Sequence, residues 1–207
     1  MNFLAHLYLA DDCPEALIGS ILPDLARRGG ARRGGSGPMT AGLPDATVRA
    51  ITQHRAVDAF TDHHAVVHRS KARFRERHGI YCGILIDLFY DHILASEWER
   101  YGRGSLPVFV ARVHAAFQSH AHLMPPAMRY PVERLIAQDW LSSYATIEGM
   151  TCAMQRLSQH LAQRFEREVH LEAAAADLVA QRQEVARDFH EFFPELIAFS
   201  QRVNPVP

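Results

Sequence analysis

Residues 80–102 read IYCGILIDLFYDHILASEWERYG. On a helix this stretch is apolar nearly all round, through Ile84, Leu85, Ile86, Leu88, Phe89, Ile93 and Leu94, and a helix apolar on every side belongs inside a core. Two carboxylates interrupt it. Asp87 and Asp91 stand one turn apart on the side of Ile84 and Trp98, and His92 adjoins them. Unpaired ionised carboxylates inside a core cost several kcal/mol, and pairing them only with one another raises one pKa strongly. A shared divalent cation removes both penalties.

Working outward, the chain shows many segments with helical spacing, few β-branched alternations and no internal repeat, so the expected fold is all-α. A short helix is expected over Asn2 to Ala10, and Pro14 opens a second that runs to about Arg27. Asp45 reads as the N-cap of a helix from Ala46 to about His63, and a basic segment, VVHRSKARFRERHG, ends at Gly79. A helix from about Pro107 to His122 is expected to stop at Pro125 and Pro126. Two or three more fill Pro131 to Ser200, with FHEFFPELIAF docking the end of the chain. With 207 residues, 48% hydrophobic and 22% charged, the chain reads as one soluble domain, residues 1–207.

The charge balance is even, 22 basic against 23 acidic residues, and points to neither nucleic acid nor a membrane surface. One local imbalance stands out. The stretch ARRGGARRGGSGPMTAG, Ala26 to Gly42, carries Arg27, Arg28, Arg32 and Arg33 with no acid, and reads as a mobile Gly/Arg-rich loop at about 28–44. Such a loop suits an acidic partner or a phosphate, or is a solvated linker. Cys13, Cys82 and Cys152 are scattered and odd in number, which suggests neither a disulfide framework nor a thiolate zinc site and fits a reducing cytoplasm. MNFLAHLYLA lacks the basic start of a signal peptide, and no stretch reads as long enough for a membrane span.

A second set of polar residues lies in QHRAVDAFTDHH, residues 53–64. His54, Asp58 and Asp62 fall within an arc of roughly 80° that also holds Ile51, so they face the apolar side. Acids there need a compensating cation, either Arg or a metal. His6 interrupts the first apolar run, and Asp24 follows Pro23 just before the basic loop; alone, His6 reads as a hydrogen-bonded core residue and Asp24 as a turn acid. Two readings of the whole set stay open: buried Asp–Arg pairs in an ordinary bundle, or a metal site. Mixed His and Asp donors suit Mn, Fe, Zn or Mg, and the oxygen-rich mixture leans toward Mn or Mg.

Other chemistry finds no support. There is no dinucleotide or phosphate-binding glycine motif, no nucleophile elbow and no His-Glu-x-x-His. Cys82 beside Gly83 reads as a small core residue. His63, His64 and His68 continue past Asp62 without an assigned role. His114, His120, His122, His160, His170 and His190 read as surface or capping groups.

The motifs MNFLAHLYLA, GSILPDLAR, HRAVDAFTDHH, LIDLFYDHILASEW and FFPEL, in this order and spacing, resemble the acyl carrier protein phosphodiesterase family from Met1 to about Leu196. The combination of HRxxDxFTD with DxxYDHxL is its most specific part. The resemblance implies an all-helical divergent branch of the HD-domain phosphohydrolases. It also implies manganese, with Mg or Fe as alternatives, and hydrolysis of the phosphodiester joining 4′-phosphopantetheine to a serine of holo-acyl carrier protein.

The polar positions it carries over are His6, Asp24, His54, Arg55, Asp58, Asp62, Asp87, Asp91 and His92. On this reading Asp24, His54, Asp58 and Asp91 hold the metal, with His6 and Asp87 as further ligands or supports. Asp62 orients the attacking water, His92 is the general acid, and Arg55 clamps a phosphoryl oxygen. Arg27, Arg28, Arg32 and Arg33 meet the acidic carrier. The division between ligand and acid stays open. The chain has no His-Asp doublet, only Asp62-His63 and Asp91-His92, so the wider superfamily's ligand assignment does not map directly. Two alternatives remain: a metal phosphohydrolase acting on a nucleotide or other small phosphoester, and a metal-free helical binding protein.

Overall fold

Ten helices follow one another in the described residues: α1 (Phe3–Leu9), α2 (Pro14–Arg28), α3 (Asp45–His63), α4 (Ala65–His78), α5 (Cys82–Ser96), α6 (Leu106–Ser119), α7 (Pro126–Ala137), α8 (Trp140–Ser143), α9 (Ile147–Phe165) and α10 (Ala175–Val203). The computed structural model describes residues 1–28 and 40–204. No strand occurs among them, so the fold is all-α, as expected. Arg32 and Arg33 lie outside the described residues, as do the side chains of Arg27 and Arg28, and with them the basic loop proposed for partner contact.

Local chemistry explains most boundaries. Pro14 is the first residue of α2, where its missing N–H costs nothing. The imidazole of His64 ends α3 and accepts the Val66 N–H that begins α4. Gly79 closes α4 at φ 53°, a conformation disfavoured for residues with a Cβ. Asp45 lies in the first turn of α3 behind Pro44, so it acts on the helix dipole and is not the cap itself. Pro125 and Pro126 were expected as a stop, but Pro126 also opens the next helix, α7, for the reason that suits Pro14.

α5 is the central helix, with eleven buried residues. It packs against α1, α4, α9 and α10, while α2 lies along α3 in the most extensive helix pair. The end of the chain docks as expected: Phe189, Phe192, Phe193 and Leu196 are fully buried, and Tyr90 of α5 meets Phe189 and Phe192. One buried acid is paired as an ordinary bundle would pair it. Asp188 takes Arg69, Arg73 and the Ser70 hydroxyl, which in turn meets Tyr90 Oη at 2.7 Å.

One expectation needs correction. α4, a 3₁₀ turn and α5 run together as a 32-residue stretch, Ala65–Ser96, long and apolar enough by length and composition to be considered a membrane span. Its most apolar window is 61% buried inside the protein. Packing within the core accounts for that hydropathy.

Candidate functional site

α1, α2 and α3 bring His6, Asp24, His54 and Asp58 together. Gly19 makes this possible: a Cβ there would stand 2.5 Å from the Thr47 carbonyl oxygen and 2.9 Å from Ala50 Cβ, so only glycine lets α2 lie this close to α3. The next carbonyl, that of Ser20, accepts the Nδ1–H of His54 at 2.7 Å. A carbonyl can only accept, so that bond fixes the proton on Nδ1 and leaves the neutral ring a bare Nε2. This Nε2 is buried without a hydrogen-bond partner, 3.3 Å from Asp58 Oδ2 and 3.7 Å from Asp24 Oδ1. Lone pairs facing each other at that distance repel unless a proton or a cation lies between them.

His6 completes the group. Its ring stacks on His54 at 3.8 Å between centroids, and its Nε2 lies 3.1 Å from Asp58 Oδ1, placed to donate to it. Burial pushes the His6 pKa down to about 4 despite Asp58, so the ring is neutral near pH 7. One donor atom from each of His6, His54 and Asp58 lies within 4.8 Å of the others. Two imidazoles with a carboxylate are a set that divalent first-row ions accept. The orphaned His54 Nε2, held by a carbonyl on its far nitrogen, is oriented as metal-bound histidines usually are. The residues fit such an ion.

A second cation-bearing group meets the same acids. The Met1 α-ammonium lies 3.2 Å from Asp87 Oδ1 and 3.7 Å from Asp58 Oδ1. Burial opposes its charge, but Asp87, Asp58 and Asp24 outweigh that and raise its pKa to about 10. Burial likewise works against the Asp58 carboxylate, yet the two imidazoles and the ammonium hold it well below the usual carboxylate range. Asp87, half-buried, is raised by desolvation against the pull of the ammonium. The sequence reading considered only Arg or a metal as compensation here; the ammonium is a third form.

The remaining expected residues separate. Asp91 is fully buried and turns both oxygens to the start of α1, accepting the Leu4 N–H at 2.8 Å and the Ala5 N–H at 3.1 Å. It therefore supplies the side-chain acceptor that a helix N-terminus needs, since Asn2 at the cap position makes no such bond. Desolvation raises its pKa to about 7 against those two hydrogen bonds. Asp62 lies at the mouth, mostly exposed, and pairs with Lys71 at 2.9 Å. His92 points elsewhere: its Nδ1 donates to the Tyr144 carbonyl at 2.8 Å, and burial lowers its pKa. Arg55 is exposed. Neither His92 nor Arg55 lines the cleft described next, so the expected general acid and phosphate clamp are not at its walls.

That cleft, of about 300 Å³, opens over the acids. Asp24, Asp58, Asp62 and Asp87 line it, and His6 and His54 lie buried beside Asp58. α9 contributes Leu157, His160, Leu161 and Arg164 to the lining, and α5 also contributes Ile84 and Leu88.

A sequence model of the family described as acyl carrier protein phosphodiesterase matches residues 1–196. The chain belongs to that family. Similar curated proteins named acyl carrier protein phosphodiesterase come from Serratia proteamaculans, 29% identical over 95% of this chain and 96% of the relative, and Salmonella dublin, 29% identical over 98% of each. Another, from Photorhabdus laumondii, is 30% identical over 76% of this chain and 79% of its own length. No solved structure matches.

The sequence alone does not reveal the contribution of α9 to the cleft. His160 was placed among surface or capping histidines. The available signal was spacing: Leu157, His160, Leu161 and Arg164 recur at three and four residues, which puts a histidine and an arginine on the apolar face of a helix.

Proposed function

We propose that this protein hydrolyses the phosphodiester linking 4′-phosphopantetheine to a serine of holo-acyl carrier protein, giving the apo carrier and free 4′-phosphopantetheine, in the cytoplasm. The observation that carries the reading is the His6–His54–Asp58 group at the base of an acid-lined cleft, in a chain of this family. Phosphodiester hydrolysis needs a nucleophile at neutral pH, neutralisation of charge growing on the phosphoryl oxygens, and a proton for the departing serine alkoxide.

His6, His54, Asp58 and Asp24 would hold a divalent cation, manganese first and magnesium or iron as alternatives. When bound, such an ion supplies Lewis-acid neutralisation of the phosphoryl oxygens and a nucleophile available near pH 7. The chain's own contributions are positional. The Ser20 carbonyl keeps the His54 proton on the far nitrogen. Asp62, at the mouth, is placed to orient a water. Asp87 keeps the Met1 ammonium beside Asp58, and Asp91 anchors the helix that carries His6.

The direct test is to incubate holo-acyl carrier protein with the protein and Mn and follow the carrier by mass spectrometry. Loss of the phosphopantetheinyl mass is expected; an unchanged carrier would refute the reading. Comparable activity on a free nucleotide would favour a small-phosphoester hydrolase instead. One observation favours a second reading, a metal-free helical binding protein: the Met1 ammonium already offsets charge on Asp58 and Asp87. Absence of any bound or activating divalent ion, with melting unchanged by chelator, would select it.

A further inference from the structure

The acids of the cleft create a problem that their proposed ion only partly solves. A phosphodiester is an anion, and Asp24, Asp58, Asp62 and Asp87 all line the space it must enter. Charge complementarity has to come from elsewhere on the walls. Arg164 is the one guanidinium among the described residues lining the cleft, and His160 stands one helical turn before it on the same face of α9. The guanidinium carbon of Arg164 lies 5.6 Å from the ring centroid of Phe165, a cation–π contact at the end of the helix.

We propose that His160 and Arg164 form the phosphate-binding wall of the cleft, receiving the non-bridging oxygens of the diester. The proposal rests on the hydrolytic reading above and names the residues that hold its substrate. Arg presents a planar fork of donors that matches two oxygens of one phosphate, and an imidazole N–H adds a further donor. Leu157 and Leu161 lie on the same face, with Ile84 and Leu88 beside them, so the groups flanking the phosphate meet hydrocarbon. No Phe, Tyr or Trp lines the cleft among the described residues. The hydrocarbon of the lining suits a phosphodiester with an aliphatic arm.

The test compares wild type, Arg164→Ser, Arg164→Lys and His160→Gln in two separate measurements. The first is calorimetric binding of 4′-phosphopantetheine. The second is steady-state release from holo-acyl carrier protein in Mn. Arg164→Ser is expected to weaken binding at least tenfold and raise KM by a similar factor, with Arg164→Lys recovering only part because it restores charge without the fork. His160→Gln should weaken binding severalfold. Binding of 4′-phosphopantetheine that is undetectable with wild type, or equal in wild type and Arg164→Ser, overturns the proposal. If wild type binds the ligand through Arg164 but never cleaves the carrier, the hydrolytic reading fails while the wall stands.

Discussion

In the neutral tautomer selected by the Ser20 carbonyl, with the proton on Nδ1, His54 Nε2 faces Asp58 Oδ2 across 3.3 Å. Both atoms offer lone pairs, and both are largely removed from water. A positive charge between them relieves the repulsion.

Adding Mn is therefore expected to raise the melting temperature, and a chelator to lower it. The gain follows mass action, about 2.7 kcal/mol when the free ion is at a hundred times its dissociation constant. His54→Ala should abolish the response and reduce bound metal, read by elemental analysis. A variant that keeps full metal content would remove His54 from the proposed centre.

Asp91 gives a stability prediction without a metal. Asp91→Ala strips the acceptor from the Leu4 and Ala5 amides and leaves them buried, which should cost about 2–4 kcal/mol. Asp91→Asn keeps one acceptor oxygen and should cost less. Denaturant unfolding in chelator measures both. An unaltered midpoint in the alanine variant would contradict the anchoring role.

His6 and Asp91 make opposite contributions to pH dependence in the metal-free protein. His6 falls from 6.5 to about 4 on folding, so the unfolded state binds more protons between those values, and stability rises with pH across that window. Asp91 rises from 3.8 to about 7, so the native state binds more protons, and stability falls as pH climbs through that range. Each is limited to about 1.4 kcal/mol per pH unit. Against wild type, His6→Gln should lose stability more steeply from pH 4.5 to 6.5, whereas Asp91→Asn should gain it. Parallel curves for all three proteins would show that neither group is perturbed as described.

Gly19→Ala tests the helix spacing that orients His54. The added Cβ meets backbone oxygen at 2.5 Å, so α2 must move off α3. A loss of about 1–3 kcal/mol is expected, together with weaker Mn binding as the Ser20 carbonyl shifts. Stability unchanged from wild type would mean the two helices are not held in contact there.

The parts of the site that were legible in sequence share one property: they are decided within a single helix. His54 and Asp58 fall on the Ile51 face whatever surrounds α3, and His6 is a polar break in an apolar run. Asp87 and Asp91 have the same spacing in the same helix, yet one meets an ammonium and the other two backbone amides. That difference arises only when α1 docks on α5, so periodicity could not separate them. His92 is likewise decided by a carbonyl 52 residues away, at Tyr144. The bundle itself was readable because α5 and the aromatic end of α10 are apolar enough to require burial. The paired acid Asp188 is not legible because its partners Arg69 and Arg73 lie more than a hundred residues away, in the basic segment of α4.

His6 rides on a helix of only seven residues, Phe3–Leu9, whose leading amides are gripped by one carboxylate. Phe3, Leu4, Ala5 and Leu7 on it are buried, so opening the segment exposes hydrocarbon as well as those amides. An ion held as proposed by His6 would escape only as this segment opens, and its half-life is expected to track hydrogen exchange at residues 3–9.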